Sequence, residues 1–267
     1  ALGLDVAAIG RRLAAENLNA ASGSIEEGAT ATVGGMLAAL EEKSLTADEC
    51  KKLIYALLTD QQQARFEKEK ELDSSYHVPG MSRFRVNVHY QRGSVAAALR
   101  AIPEVIPPLD TLHLPASVLE FIKEPRGLVL VTGATGSGKS TTQAAMIDVI
   151  NRDRRCHIIT VEDPIEFIHK NNKSIIEQRE VGFDTDSFTN SLNHVLRQNP
   201  DVILIGEMRE LDTISTAVTA AETGHLVIST LHTNDAVQTI DRIVDIFPSH
   251  QQNQIRMIAV GFAQTVL

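Results

Sequence analysis

The residues best suited to chemistry form one run, Gly133-Ala134-Thr135-Gly136-Ser137-Gly138-Lys139-Ser140, which fills the pattern G-x-x-x-x-G-K-[ST]. A phosphate chain needs several N–H donors at close range. Glycines let the backbone wrap around it without a Cβ in the way. Lys139 is placed to reach the β- and γ-phosphates, and the Ser140 hydroxyl can ligate Mg²⁺. Gly133, Thr135, Gly136, Ser137, Gly138 and Thr141 complete the candidate cradle. ATP with Mg²⁺ is the ligand this points to.

Three more clusters follow. Thr160-Val161-Glu162-Asp163-Pro164-Ile165-Glu166 puts three acids behind an apolar run. An acid there can order an attacking water or take its proton. A solvated acidic loop is an equally good reading of the residues alone. Asp201 to Arg209 is an apolar run ending in an acid, the arrangement that holds Mg²⁺ or its water shell. Gly206 stands where many such sequences have Asp, which leaves Glu207 as the single acid. The last cluster carries His225 and His232. His232, at a strand end, can donate to a γ-phosphate oxygen, whereas His225 reads as structural. Two histidines with no nearby Cys or third His cannot fill a zinc site.

These residues need rigid supports. Leu128–Val131, Ile158–Val161, Val202–Ile205 and Leu226–Ile228 are short, nearly unbroken apolar runs separated by helical patterns. Buried parallel strands with crossover helices give this texture, hence a doubly wound α/β domain. The glycine-rich loop lies between the strand at 128–132 and a helix predicted over Lys139 to Asn151. A helix N-terminus adds partial positive charge at that point.

The earlier part of the chain reads differently. Val6, Ile9 and Leu13 recur at helical spacing within Leu2 to Leu18, and Asn19 to Gly28 reads as loop. Thr30–Val33 and Met36–Ala38 flank Gly34-Gly35 as a hairpin. Thr46 and Glu49 have capping-box spacing before a helix through Leu53, Ile54, Leu57 and Leu58, and Asp60 can cap another. Phe84, Val86, Val88 and Tyr90 alternate with Arg85, Asn87 and His89, which predicts a half-buried strand before a turn at Gln91-Arg92-Gly93. Five of the nine prolines fall between 103 and 125. We therefore read an N-terminal domain over 1–101, a linker over 102–125 and an ATPase domain over 126–267.

Composition excludes other classes. Of 267 residues 43% are apolar, enough for a real core, and the net charge of −9 disfavours a nucleic-acid binder. Aromatics are 4%, which argues against base-stacking platforms. Cys50 and Cys156 stand far apart, which fits a reducing cytosol rather than a disulfide framework. No apolar run is long enough to span a membrane, and no signal peptide is evident. The first residue is Ala1 and the last Leu267, and a trimmed or incomplete sequence is expected.

The four clusters in this order resemble the secretion and pilus ATPases, and within them the type IV pilus retraction ATPases. Arg126–Gly133, Thr160–Phe167, Gly206–Arg209, Ala220–Leu226 and Thr239–Pro248 carry the likeness, with Arg83–Val88 and Gln91–Gly93 extending it into the first domain. The resemblance implies a RecA-like P-loop ATPase core behind a smaller PAS-like α+β N-terminal domain. It implies a hexameric ring, cytoplasmic and peripheral to the inner membrane, working on a platform protein there to disassemble pilin. By the same likeness Glu162 is the general base, Glu207 the Mg²⁺-side acid and His232 the γ-phosphate contact. Arg83, Arg85 and Arg92 would supply positive charge to the nucleotide. An extension or type II secretion ATPase, or an accessory retraction ATPase, is the alternative. Gln143 stands where the family usually has Leu, and Ala134 where it usually has Pro.

Overall fold

Period-two alternation early in the chain and solid apolar runs later correspond to two units, divided after Glu104 in the computed structural model. The structure describes residues 19–22, 29–33, 36–39, 46–78, 82–102, 105–233 and 235–266. The helix expected over Leu2 to Leu18 and the Gly34-Gly35 turn lie outside the described residues.

The first unit is built on an antiparallel sheet. Its strands are β1 (Asn19–Ser22), β2 (Ala29–Val33), β3 (Met36–Ala39), β4 (Glu71–Val78), β5 (Ser82–Gln91) and β6 (Ser94–Ile102). Their order is β3-β2-β1-β6-β5-β4. β1 corrects the expected loop at 19–28: a short Ala-containing segment makes poor strand signal alone, yet it pairs with both β2 and β6. Helices α1 (Ala47–Tyr55) and α2 (Asp60–Glu69) lie between β3 and β4 in the chain. Both capping-box bonds between Thr46 and Glu49 are present. α2 starts one residue earlier than expected, because Thr59, not Asp60, caps it and Gln62 completes the box. α1 ends before Leu57 and Leu58.

On β5, Phe84, Val86 and Val88 are buried, each burial being worth about 1.5–3 kcal/mol. Tyr90 continues that face to the end of the strand. It is half-exposed and stacks on buried Phe66, ring centroids 4.8 Å apart. Arg92 (φ 48°) and Gly93 (φ 82°) both have positive φ, as a two-residue hairpin of the favoured hand requires, so β5 returns directly as β6.

The second unit carries six parallel strands: β7 (Gly127–Thr132), β8 (His157–Glu162), β9 (Ile175–Glu180), β10 (Val202–Ile205), β11 (Leu226–Leu231) and β12 (Ala263–Val266). The order is β12-β7-β11-β10-β8-β9. Helices α3 (Ser117–Phe121), α4 (Lys139–Asp153), α5 (Phe188–Val195), α6 (Leu211–Glu222), α7 (Ala236–Asp245) and α8 (Ser249–Phe262) complete it. Alternate strand residues feed two cores. Leu128, Leu130, Ile159, Ile203 and Val227 pack with α5 and α6 residues such as Leu192 and Ile214. Val129, Val131, Ile158, Leu204 and Ile228 pack with Met146, Ile147 and Ile150 of α4. A sheet covered on both faces explains why its central strands read as nearly unbroken apolar runs. Residues 105–125 group with this unit, and Leu109, Val118 and Ile122 are buried in the α4-side core.

Candidate phosphate-binding site

Strand β7, fully buried, delivers the chain to residue 133 at its carboxyl end, and α4 begins at Lys139. Two glycines are required by geometry. Gly133 has φ 143°, and a Cβ there would meet Ser137 Oγ at 2.7 Å. Gly138, with φ 97°, caps α4 in a left-handed conformation that costs other residues more. The N–H groups of the first turn of α4 have no partner within the helix and form the donor end of the cradle. Lys139 Nζ donates to the carbonyls of Gly133 (3.0 Å) and Ala134 (2.9 Å), so it lies folded over its own loop. Thr135, Gly136 and Ser137 are exposed at the loop tip, and Ser140 and Thr141 are half-buried at the helix start.

The ends of β10 and β11 bring two more candidates to the lysine. His232 Nδ1 lies 3.5 Å from Lys139 Nζ, and its Nε2 lies 3.0 Å from Glu207 Oε1. Arg209 grips both oxygens of Glu207, Nε to Oε1 at 2.6 Å and Nη2 to Oε2 at 2.7 Å. Partial burial works to raise the Glu207 carboxyl. The hydrogen bonds and charge of Arg209, with His232 and Lys139, outweigh it and hold the group below its ordinary value. Lys139, His232, Glu207 and Arg209 thus form one polar chain. Arg209 was absent from the expected site residues, although it closes the motif they came from.

Glu162 ends β8 in a different setting. Thr160 Oγ1 donates to its Oε1 at 2.6 Å, Gln178 Nε2 to the same oxygen at 3.3 Å, and the Glu166 N–H to Oε2 at 3.4 Å. Loss of water raises its carboxyl to about 6 despite those three donors. Asp163 and Glu166 are exposed, so of the three acids only Glu162 is drawn in. Gly206 has a packing reason. A Cβ there would come 3.3 Å from Glu162 Cα, so the residue that replaces the usual Asp lets β10 end tightly against β8. His225 Nδ1 lies 3.0 Å from the Ala220 carbonyl, a tie within the α6–β11 turn.

Arg83, Arg85 and Arg92 belong to the first unit. Arg83 Nη2 donates to Ser75 Oγ at 2.6 Å. Arg85 is exposed and lies opposite Arg100 in the β5–β6 ladder, a like-charge pairing that an anion would relieve. Arg92 is exposed in the hairpin turn. Gln178 was also unforeseen. It lies on β9, whose single alternating pattern gave no motif, and only strand pairing brings it to Glu162.

The chain is similar to known proteins. The family described as Type II/IV secretion system protein matches residues 110–264. The type IV pilus retractation ATPase PilT of Pseudomonas aeruginosa is 47% identical over 228 residues, or 85% of this chain. The chain spans 65% of that relative's length. The type II secretion system protein E of Aeromonas hydrophila is 48% identical over 130 residues, 48% of this chain and 25% of its own. A crystal structure of the pilus retraction motor PilT with bound ADP superposes with a TM-score of 0.91 at 47% identity, covering 97% of this chain and 76% of that one. The second unit accordingly has a P-loop ATPase-like topology.

Proposed function

This chain belongs to the type II/IV secretion system protein family, and on that premise we propose that it is an ATP-hydrolysing motor that powers type IV pilus retraction. One observation favours a pilus motor over a secretion ATPase of the same family. The 228 matched residues of the retraction ATPase exceed the length of the second unit and so run into the first. The secretion protein's 130 matched residues are fewer than that unit contains.

The residues take these roles. The loop from Gly133 to Gly138 and the first N–H groups of α4 hold the phosphates of ATP, with Thr135, Ser137 and Thr141 at its rim. Lys139 leaves its own loop carbonyls for the β- and γ-phosphates. Ser140 and Glu207 suit Mg²⁺: a hydroxyl and a carboxylate kept ionised are hard oxygen donors. Bound with the nucleotide, the ion offsets phosphate charge. Glu162 takes a proton from a water whose oxygen bonds to the γ-phosphorus. The bond from that phosphorus to the bridging oxygen breaks, its electron pair leaves with ADP, and phosphate is the second product. A carboxylate raised toward neutral pH accepts a proton better than an ordinary one. His232 donates to a γ-phosphate oxygen, and Arg83, Arg85 and Arg92 add positive charge.

The first unit we read as PAS-like, since an antiparallel sheet with α1 and α2 inserted between β3 and β4 supports that architecture. The motor works as a homohexameric ring at the cytoplasmic face of the inner membrane, acting on a platform protein. No helix among the described residues is long and apolar enough to cross a membrane.

Lys139→Ala in the full-length protein is expected to abolish turnover and weaken ATP binding. Wild-type turnover would refute the site. Pilus retraction in a deletion strain, complemented with the full-length gene, tests the direction. Restored extension or secretion without retraction would overturn it, and retraction only alongside a second retraction ATPase would mark an accessory motor.

A further inference from the structure

Thr160 of β8 pairs with Gln178 of β9, two residues before Glu162 pairs with Glu180. Residues two apart on a strand share a face, so these four side chains line one side of the β8–β9 ladder. The Gln178 carboxamide has three partners there. Its Oε1 accepts from the His169 N–H at 2.8 Å. Its Nε2 donates to the Phe167 carbonyl at 2.8 Å and to Glu162 Oε1 at 3.3 Å. The His169 N–H can meet only an oxygen, which settles which end of the amide is which. The two N–H bonds then point at the two acceptors. Backbone at 167 and 169 anchors the group, and the remaining donor is spent on the carboxylate.

The two oxygens of Glu162 are therefore unequal. Oε1 takes Thr160 at 2.6 Å and Gln178 at 3.3 Å, while Oε2 has only the long 3.4 Å contact from the Glu166 N–H. We propose that Gln178 is a positioning residue for ATP hydrolysis: with Thr160 it clamps Oε1 of Glu162 and leaves Oε2 to receive the proton of the attacking water. This rests on Glu162 being the general base. Donation to a carboxylate also favours its charged form, and Gln178 pulls the Glu162 carboxyl down against the larger effect of burial. The charged groups around it are few. The Glu166 carboxylate pushes it up. Asp163, next in the chain, is exposed, and the neighbouring Glu180 accepts the Ile165 N–H at 3.2 Å. The end of β10 presents uncharged Gly206.

The experiment is a kcat–pH profile of the full-length protein at saturating Mg-ATP for Gln178→Met, which keeps the length and removes both donors. At pH 7 kcat is expected to fall about 10-fold, with KM for ATP within about twofold. The acid limb should move up by about one pH unit, so that activity recovers at higher pH. In the Glu162→Gln background the same substitution should cost nothing more. An unmoved limb, or a loss that adds fully to that of Glu162→Gln, overturns the clamp. Gln178→Glu serves if the first variant does not fold. It keeps the bond from His169 but turns an acceptor toward Glu162, so its limb must move further in the same direction. Full turnover in Glu162→Gln would remove the base assignment itself, whereas loss there with unmoved limbs in both Gln178 variants removes only the clamp.

Discussion

The ends of β8 and β10 each present one glutamate, and the two are driven in opposite directions. Glu162 is surrounded by neutral donors and little water, and its carboxyl rises to about 6. Glu207 is gripped by Arg209 and faced by His232 and Lys139, and its carboxyl is lowered. Neighbouring acids whose environments separate them in this way are suited to different work. The raised group can accept a proton near neutral pH. The lowered one stays charged and can face a cation. The contrast comes from what each strand end lies against, since both residues follow similar apolar runs.

Removing Glu162 should break the comparison most visibly. Glu162→Gln is expected to lower kcat on the order of 10³-fold while ATP still binds. Its effect on stability has the opposite sign. A carboxyl raised in the folded state holds extra protons there between the ordinary value and about 6, so its contribution favours folding at low pH and is lost as pH rises through 6. At pH 7 the charged form costs up to about 2 kcal/mol, an upper value because the side chain keeps some contact with solvent. The amide variant should therefore melt higher than the wild type at pH 7, and equal or lower melting would show that the carboxylate is not strained by burial.

Glu207→Ala should act more mildly, lowering kcat about 100-fold with ATP binding retained. An unchanged kcat in this variant would move the acid role elsewhere. Gln143→Leu probes packing beneath the loop. Gln143 on α4 is buried and its Nε2 has no partner, so an apolar side chain of similar size should raise stability by about 1–3 kcal/mol. Unaltered thermal melting would contradict that. Arg209→Ala sharpens the contrast with the smallest change in stability. Arg209 is 76% exposed, and exposed pairs contribute at most about 1 kcal/mol. What should change is Glu207. With its partner gone the carboxyl moves up toward the ordinary value, and the stability it contributed above that value, lost as pH falls, shrinks accordingly. NMR titration of the Glu207 carboxyl carbon would register it.

Much of this was legible before any fold was drawn. β7, β8, β10 and β11 are central in the sheet and covered on both faces, so each shows as a nearly unbroken apolar run. The glycine pattern at 133–140 was legible because left-handed φ and close approach exclude most other residues. β9 and β12 were not legible. They form the two edges of the sheet, and β9 alternates weakly, with Ile175 exposed. β1 was hidden because its pairing partners, not its own residues, make it a strand. In the first unit Tyr90 fitted the alternation, but its stacking partner Phe66 comes from α2 and was not legible.

The amino-acid order alone determined which short-range features exist: a phosphate loop on a strand–helix joint, acids and a histidine at strand ends, capping boxes at Thr46 and an α/β pattern in the second unit. Those depend on neighbours a few residues apart, where backbone sterics and side-chain reach decide. Folding alone decided which of the acids is buried, that a Cβ at residue 206 would crowd Glu162, and that Gln178 meets Glu162 across two strands. Those outcomes depend on desolvation and on contacts between distant segments, and neither is a property of any local stretch of chain.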